Sequence, residues 1–441
     1  MMKSFRPWRV DETWLLPPSV QDFVPAGHAA HLVRDIVREE LDLGAILSTY
    51  NEARGFPPYH PGMMVALLLY AYSQGVYSSR RIARGCEERL DFQAVTALNR
   101  PDFRTISEFR RRHLTALGDL FVQVLALCQH AGLVGLGHVA VDGTKLRANA
   151  SKHKAMSYER MVKAEDELAA EVKTWLDKAA KIDATEDGEH GPDQRGDETP
   201  SWMADKQQRL ARIRAARAAL EAEAQATAAV KEAARPEPGT NADGTPSKPR
   251  GRKPARPPGT PQPTAQRNFT DPESRIMLGR DGFIQGYNGQ AAVDAKHQII
   301  LAHRLTQSAS DQDGLLHLLD ATAANAGRLP NEVSADNGFC SEANLAGLVE
   351  RGVRGYVATG RAKHPAGETS NGGPLTVAMR RRLRQGGYRS RYRLRKHIVE
   401  PVFGQIKAAR GFRQLLLRGV EKVTREWALI CTAHNLAKLT A

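Results

Sequence analysis

Three carboxylates in this sequence have surroundings that suit metal chemistry. Asp142 follows the apolar, β-branched run HVAV, and Asp336 follows a second short run, EVSA. Glu400 belongs to a stretch, 392–410, whose spacing predicts a helix. If the two runs are neighbouring strands and the helix packs across their carboxyl ends, the three acids converge. Three unrelated surface acids are the alternative that the residues alone leave open.

Converging carboxylates repel one another and raise one another's pKa unless cations neutralise them. Hard divalent ions with oxygen ligands, Mg²⁺ or Mn²⁺, fit such a site, and no cluster of His or Cys indicates zinc. Two such ions about 4 Å apart would activate a hydroxyl nucleophile and stabilise the leaving 3′ oxygen of an in-line phosphoryl displacement. The three acids therefore predict a two-metal site for phosphoryl transfer.

The predicted helix around Glu400 has two chemically opposite faces. At about 100° per residue, Glu400 shares one stripe with three cations, Arg393, Lys396 and Lys407. The opposite side is apolar and is expected to dock on a core. This pattern suits a metal-binding carboxylate beside a polyanionic substrate, and a basic surface helix with one charge-balancing glutamate has the same pattern. Pro401 removes one backbone donor, so we expect the helix to kink there.

The chain as a whole is basic and globular in composition. Its 441 residues include 63 Lys and Arg against 49 Asp and Glu, a formal net charge of +14, and 41% are hydrophobic. This charge predicts nucleic acid or an anionic surface as the partner. The four cysteines have no paired spacing, and no apolar run is long enough for a secretory signal or a membrane span. We therefore expect a cytoplasmic, nucleoid-associated protein without a membrane partner.

The N-terminal part, 1–135, is predicted to be an all-helical DNA-binding domain. Two short helices within 78–112, the second of them basic, have the pattern of a helix-turn-helix-like DNA reader. In that interpretation Arg110, Arg111 and Arg112 contact DNA. A helical bundle with a basic rim is the alternative.

An insertion separates the two aspartates along the chain. Apolar residues recur every seven residues in its first helical tract, and a second tract follows an acidic loop, which predicts an antiparallel helical hairpin over 155–235. The segment 236–267 is rich in proline and is predicted to be a basic, disordered linker. Its Arg250 and Arg252 flank a glycine and can enter a narrow minor groove of DNA, and a solvated basic linker is the alternative that the short motif favours.

The remaining segments, 136–154 and 268–441, alternate short apolar runs with helical spacing. Their predicted order is strand, insertion, strand, strand, helix, strand, helix, strand, helix. This order predicts an α/β fold in which a mixed sheet is flanked by helices.

Motifs along almost the whole chain resemble the DDE transposases of bacterial insertion sequences, specifically the IS5/IS1182-like group of the IS4-like set. They are the helical segment from His60 to His113, VDGTK at 141–145, TDPESR at 270–275, GYN at 286–288, ADNGF at 335–339 and VEPVFGQIK at 399–407. Together they are highly specific, whereas each alone is not.

The resemblance implies an RNase H-like catalytic fold with Asp142, Asp336 and Glu400 as a catalytic, metal-binding triad. It implies two Mg²⁺ ions, or Mn²⁺, and a reaction of DNA cleavage and strand transfer by in-line phosphoryl transfer. The implied partners are the terminal inverted repeats of the element, target DNA and further copies of the chain in a homo-oligomer on DNA. An RNase H-like nuclease without strand transfer and a non-catalytic DNA-binding protein are the alternatives.

The chain departs from the family pattern beside the glutamate. The family often places Tyr, Arg, Glu and Lys at positions −7, −4, 0 and +7 relative to the glutamate, and Lys407 matches the last of these. Lys396 replaces the arginine, Arg393 occupies the tyrosine position, and Tyr392 lies one residue earlier. A lysine is a point charge where an arginine offers a planar fork of donors, so the departure concerns how the DNA end is held.

Overall fold

The computed structural model describes residues 19–51, 57–190, 201–233, 256–279, 282–360 and 373–440. Arg250, Arg252 and most of the predicted linker lie outside the described residues. Within these ranges, no helix is both long enough and apolar enough to cross a lipid bilayer.

The helices and strands alternate much as the sequence predicts. The helices are α1 (Ala29–Glu39), α2 (Gly44–Leu47), α3 (Pro61–Ser73), α4 (Ser79–Glu88), α5 (Leu90–Thr96), α6 (Phe103–Arg112), α7 (Leu114–His130), α8 (Tyr158–His190), α9 (Ser201–Ala233), α10 (Gly314–Ala326), α11 (Glu342–Glu350), α12 (Pro374–Gly386), α13 (Leu394–Gly404) and α14 (Val420–Leu439). The strands are β1 (His138–Arg147), β2 (Ala155–Ser157), β3 (Gln266–Asn268), β4 (Arg275–Gly279), β5 (Gly282–Asp294), β6 (Ile300–Thr306), β7 (Glu332–Ala335) and β8 (Arg354–Val357).

A mixed sheet with the strand order β4-β5-β1-β7-β8 follows the N-terminal helices, and its central strand β1 precedes the insertion. β6 pairs with β5 beyond the stretch that pairs with β4, so both lie on the same side of β5. β1 runs antiparallel to β5 and parallel to β7. The predicted fold class, a mixed α/β sheet flanked by helices behind a helical N-terminal region, is confirmed and is consistent with an RNase H-like fold.

The first strand is longer than predicted. Its parallel pairing with β7 ends at Val141 and Ala335, but its antiparallel pairing with β5 continues to Arg147. The prediction that this strand ends at Asp142 is therefore wrong, because β5 is long enough to pair with β1 beyond the end of β7. Asp142 lies within β1, one residue beyond the point where the pairing with β7 ends.

One apolar core joins the N-terminal helices to the sheet. α3 has apolar residues around its whole circumference and is buried on all sides, as a helix without a polar face must be. α14 packs against α3, α7 and β6, and its Trp427 is fully buried. The core cluster contains side chains from α1 to α7, from the sheet and from α10 to α14. The N-terminal region therefore does not have a core separate from that of the sheet.

The helices proposed for DNA reading are not joined as in a helix-turn-helix. α5 lies between α4 and α6, and its Phe92 is fully buried. α4 and α6 nevertheless pack against each other. The short turn that a helix-turn-helix requires is thus replaced by another helix, because Phe92 draws this connection into the core.

The insertion contains the predicted helical hairpin. α8 and α9 run antiparallel, with ion pairs from Glu165 to Arg217 and from Glu171 to Lys206. Five buried residues, Met161, Leu168, Leu210, Ile213 and Leu220, form an apolar cluster of their own. β2 and β3 close the base of the hairpin, with Ser157 opposite Gln266. The insertion thus has its own small core.

We expect the sheet to fold without the hairpin. Because Ser157 and Gln266 are paired neighbours, a four-residue Gly/Ser turn can replace 158–265 without moving β2 or β3. The shortened protein should retain one cooperative thermal unfolding transition, measured by circular dichroism beside the full chain. Gradual melting without a transition would show that the hairpin is part of the folding unit of the sheet.

Candidate active site

The register of two strands brings the first two predicted acids together. Since β1 and β7 are parallel and pair as far as Val141 and Ala335, the residues that follow, Asp142 and Asp336, are neighbours. The Asp142 carboxylate accepts a hydrogen bond of 2.8 Å from the N–H of Gly143. The Asp336 carboxylate accepts one of 2.9 Å from the N–H of Gly338 and begins a short 3₁₀ turn.

Both aspartates have raised pKa values. Burial raises the pKa of Asp142 to about 6; the Arg395 guanidinium lowers it, and the charges of Asp336 and Asp311 raise it further. Burial also raises the pKa of Asp336, again opposed by Arg395 and reinforced by Asp311. Burial is the main cause of both shifts, and it outweighs the favourable effect of Arg395.

Arg395 connects the aspartates to the predicted glutamate. Its Nη1 lies 2.6 Å from Asp142 Oδ2, and its Nη2 lies 3.4 Å from Glu400 Oε1. The side chains of Asp142 and Arg395 are 15% and 13% exposed, whereas that of Glu400 is 48% exposed. The Nε of Arg395 is buried and has no hydrogen-bond partner within the described residues. One guanidinium thus lies between an inner and an outer carboxylate.

Sequence reasoning missed Arg395 and favoured Lys396 in its place. Lys396 and Arg393 lie on the surface at the start of α13, and Arg395 is the cation that contacts the acids. The sequence contains a signal for Arg395. The family places Tyr and Arg three residues apart, and Tyr392 and Arg395 keep this spacing, although both lie one residue further from Glu400 than in the family pattern. The Arg395 guanidinium also lies 6.0 Å from the centre of the Tyr392 ring.

Lys407 lies against the strand that carries Asp142. Its Nζ donates to Thr144 Oγ1 at 3.0 Å and to the carbonyl oxygen of Lys145 at 2.9 Å. The predicted apolar face of the same segment is buried through Val399 and Val402. The helix therefore docks on the sheet through its apolar face and holds Lys407 beside β1.

Asp311, in the loop before α10, is a further acid that sequence reasoning did not single out. Its Oδ1 accepts hydrogen bonds from the side-chain amides of Asn288 and Gln290, both fully buried, and lies 3.4 Å from Lys145 Nζ. A Cβ atom at Gly143 would overlap the Asp311 carboxylate. This close approach explains why glycine follows Asp142.

The predicted arginines of α6 have different environments. Arg110 is buried, and its Nη1 donates to Tyr72 Oη and to the carbonyl oxygen of Tyr77, both at 3.0 Å. Arg111 is exposed and paired with Glu108 on its own helix. Arg112 is exposed and its guanidinium lies 5.1 Å from the centre of the Tyr50 ring. Arg110 faces the core, so only the other two are available for contact with DNA.

The donor atoms of the three acids suit a hard divalent ion, although their arrangement is not a closed ligand set. Within the described residues, no group of three or more His, Cys, Asp or Glu side chains is arranged to hold a metal ion. Arg395 lies between Asp142 and Glu400. The carboxylate oxygens are the ligand type that Mg²⁺ prefers, and the raised pKa values of the aspartates show that further positive charge would be favourable there.

Comparison with known proteins identifies two transposase domains. Residues 18–112 match a transposase domain family, DUF772, and residues 370–440 match a transposase DDE domain. No curated protein and no solved structure matches the chain. The two matches confirm the resemblance to insertion-sequence DDE transposases. They do not distinguish the IS5/IS1182-like group, which stays a prediction. The DDE match includes Arg395, Glu400 and Lys407 and excludes both aspartates.

The burial of Asp142 predicts a pH-dependent gain in stability from Asp142→Asn in metal-free protein. The folded pKa of about 6 lies above the ordinary 3.8, so the wild type loses stability as pH rises through this interval. About two pH units correspond to about 3 kcal/mol. The variant should therefore melt at a higher temperature than wild type at pH 7–8, and this difference should disappear near pH 4.

Thermal melts in EDTA across this pH range measure the effect. Glu350→Gln, at an exposed acid, serves as the control and should show little pH-dependent difference. An Asp142→Asn variant that is less stable than wild type at every pH would contradict the burial argument.

Proposed function

We propose that this protein cleaves DNA at the ends of an insertion sequence and joins those ends to target DNA by in-line phosphoryl transfer. The observation that supports this most is the register of β1 and β7, which makes Asp142 and Asp336 neighbours beneath a helix that carries Glu400. The transposase domains matched at both ends of the chain agree with it. The protein would act in the cytoplasm, on the nucleoid, as a homo-oligomer on DNA.

In this proposal Asp142, Asp336 and Glu400 hold the divalent ions, two Mg²⁺ or Mn²⁺. When bound, such ions supply Lewis acidity to the attacking and the leaving oxygen. Asp142 and Asp336 are held by backbone N–H donors, which fix the direction of both carboxylates. Glu400 is more exposed and lies on α13 instead of on the sheet. Its position relative to the two aspartates therefore depends on how α13 docks.

The cations near the acids are proposed to hold the DNA beside the cleaved bond. Lys407 is fixed against β1, and Arg393 and Lys396 are exposed where α13 begins. Arg395 lies deeper and faces Asp142 and Glu400, so its proposed part is to hold the acids in place. Arg111 and Arg112 would contact the element end farther from the cleaved bond.

The triad is tested by substitution of each acid. Asp142→Asn, Asp336→Asn and Glu400→Gln should each reduce cleavage of a supercoiled plasmid carrying the element ends, with Mg²⁺, at least about a hundredfold. DNA binding, measured by fluorescence anisotropy, should be unchanged or tighter, because a negative charge near the phosphates is removed.

Glu350→Gln, at an exposed acid of α11, is the control and should cleave like wild type. Full activity in one of the three variants would remove that residue from the triad. Cleaved ends that are never joined to the target would favour a nuclease without strand transfer. Binding without any metal-dependent cleavage by the wild type would favour a non-catalytic DNA-binding protein.

The contacts of α6 are tested by a pair of opposite variants. Arg111→Ala combined with Arg112→Ala should weaken binding of end DNA and reduce the salt dependence by about one per lost phosphate contact. Glu108→Gln releases Arg111 from its ion pair and should strengthen binding. Arg351→Gln, at a cation paired with Asp320, is the control. Unchanged affinity and salt dependence in the double variant would show that α6 serves packing alone.

A further inference from the structure

The helix that carries Glu400 has a gap in its backbone hydrogen bonding. Pro401 lies inside α13 and has no N–H, so the carbonyl oxygen of His397 lacks the partner that a helix normally supplies. A side chain from the sheet takes that place: Gln298 Nε2 donates to the carbonyl oxygen of His397 at 3.0 Å. Gln298 therefore supplies the donor that Pro401 lacks. Pro401 directly follows Glu400, so this contact lies in the turn of the helix that carries the glutamate.

The backbone of Gln298 indicates that its side chain matters. Gln298 follows the turn between β5 and β6 and has a φ of +61°, in the left-handed region. Glycine or asparagine enters this region at lower cost than glutamine, so a turn alone would favour one of them. A costly conformation that persists is a reason to look for a function of the residue.

Gln298 also contacts α14 and the turn that follows α13. Its carbonyl oxygen accepts from His434 Nε2 at 3.0 Å, and its Oε1 accepts from Lys438 Nζ at 2.9 Å, both on α14. Gln405, in the π-helical turn that follows α13, approaches the same Oε1 at 3.5 Å. One residue thus links a turn of the sheet, the end of α13 and the buried helix α14.

We infer that Gln298 is a positioning residue for Glu400. It bridges the break at Pro401 and fixes the turn of α13 from which Glu400 reaches Arg395. This inference depends on the proposed function, because it assumes that the position of Glu400 limits cleavage. It assigns no direct contact between Gln298 and DNA.

Gln298→Glu tests the inference with little change in shape. The carboxylate keeps acceptor atoms for Lys438 and leaves the backbone contact with His434 in place, but it cannot donate to His397. We expect kcat for end cleavage to fall about three- to tenfold, with KM for end DNA unchanged. Lys438→Met, which removes only the side-chain contact of Gln298 with α14, is the control and should leave kcat near the wild-type value.

Rescue by Pro401→Ala separates positioning from general damage. Alanine restores the N–H that donates to the carbonyl of His397, so Gln298 becomes dispensable in that background. Adding Gln298→Glu to Pro401→Ala should then leave kcat unchanged. An equal loss of kcat in both backgrounds would overturn the inference, as would an unchanged kcat in Gln298→Glu alone, which would mean that water satisfies the carbonyl.

Amide hydrogen exchange gives a readout that does not depend on cleavage. In metal-free protein without DNA, Gln298→Glu should exchange faster than wild type within α13, and Pro401→Ala should suppress this difference. If the wild type cleaves no DNA, the proposed function fails while the exchange data still test the hydrogen bond. Equal exchange of α13 in both proteins would show that Gln298 does not fix the helix.

Discussion

Two neighbouring aspartates in a partly dehydrated position need a counter-charge, and this requirement determines how the second half of the molecule is arranged. The register of β1 and β7 leaves no other place for Asp142 and Asp336. Arg395 supplies positive charge at 2.6 Å from Asp142, and it can do so only if α13 docks where it does. Sheet register and helix docking are therefore coupled through one ion pair.

The same core that positions this helix also contains the N-terminal helices. Glu426 of α14 is buried, accepts hydrogen bonds from the N–H groups of Leu416 and Leu417, and interacts electrostatically with Arg110 of α6. The Arg110 guanidinium in turn binds Tyr72 of α3. A basic run that resembles a DNA contact thus contributes one of its residues to the core.

Several features were predictable because their signals are local. Apolar residues that recur every two residues predicted the strands of the sheet region, and those that recur about every 3.6 residues predicted its helices. Apolar residues that recur every seven residues predicted the hairpin. Arg110 could also have been assigned correctly, since Ile106, Phe109 and Arg110 follow the spacing of one buried helical face. The end of β1 was not predictable from its own residues, because it depends on the length of a partner 135 or more residues further along the chain.

Arg395 and Lys407 show why the details of the site escaped the sequence. The prediction assumed α-helical spacing from residue 392 to residue 410, with a kink at Pro401, but residues Arg391–Arg393 form a 3₁₀ turn and Gln405–Ala409 form a π turn. The N–H of Arg410 donates to the carbonyl of Gln405, an i→i+5 bond that under-winds the helix and rotates Lys407 toward Thr144. These irregular turns and the break at Pro401 surround Glu400, and each has a compensating contact with the sheet or with α14. Within this irregular segment, Arg395 contacts Asp142 and Lys407 contacts β1, while the apolar face stays buried.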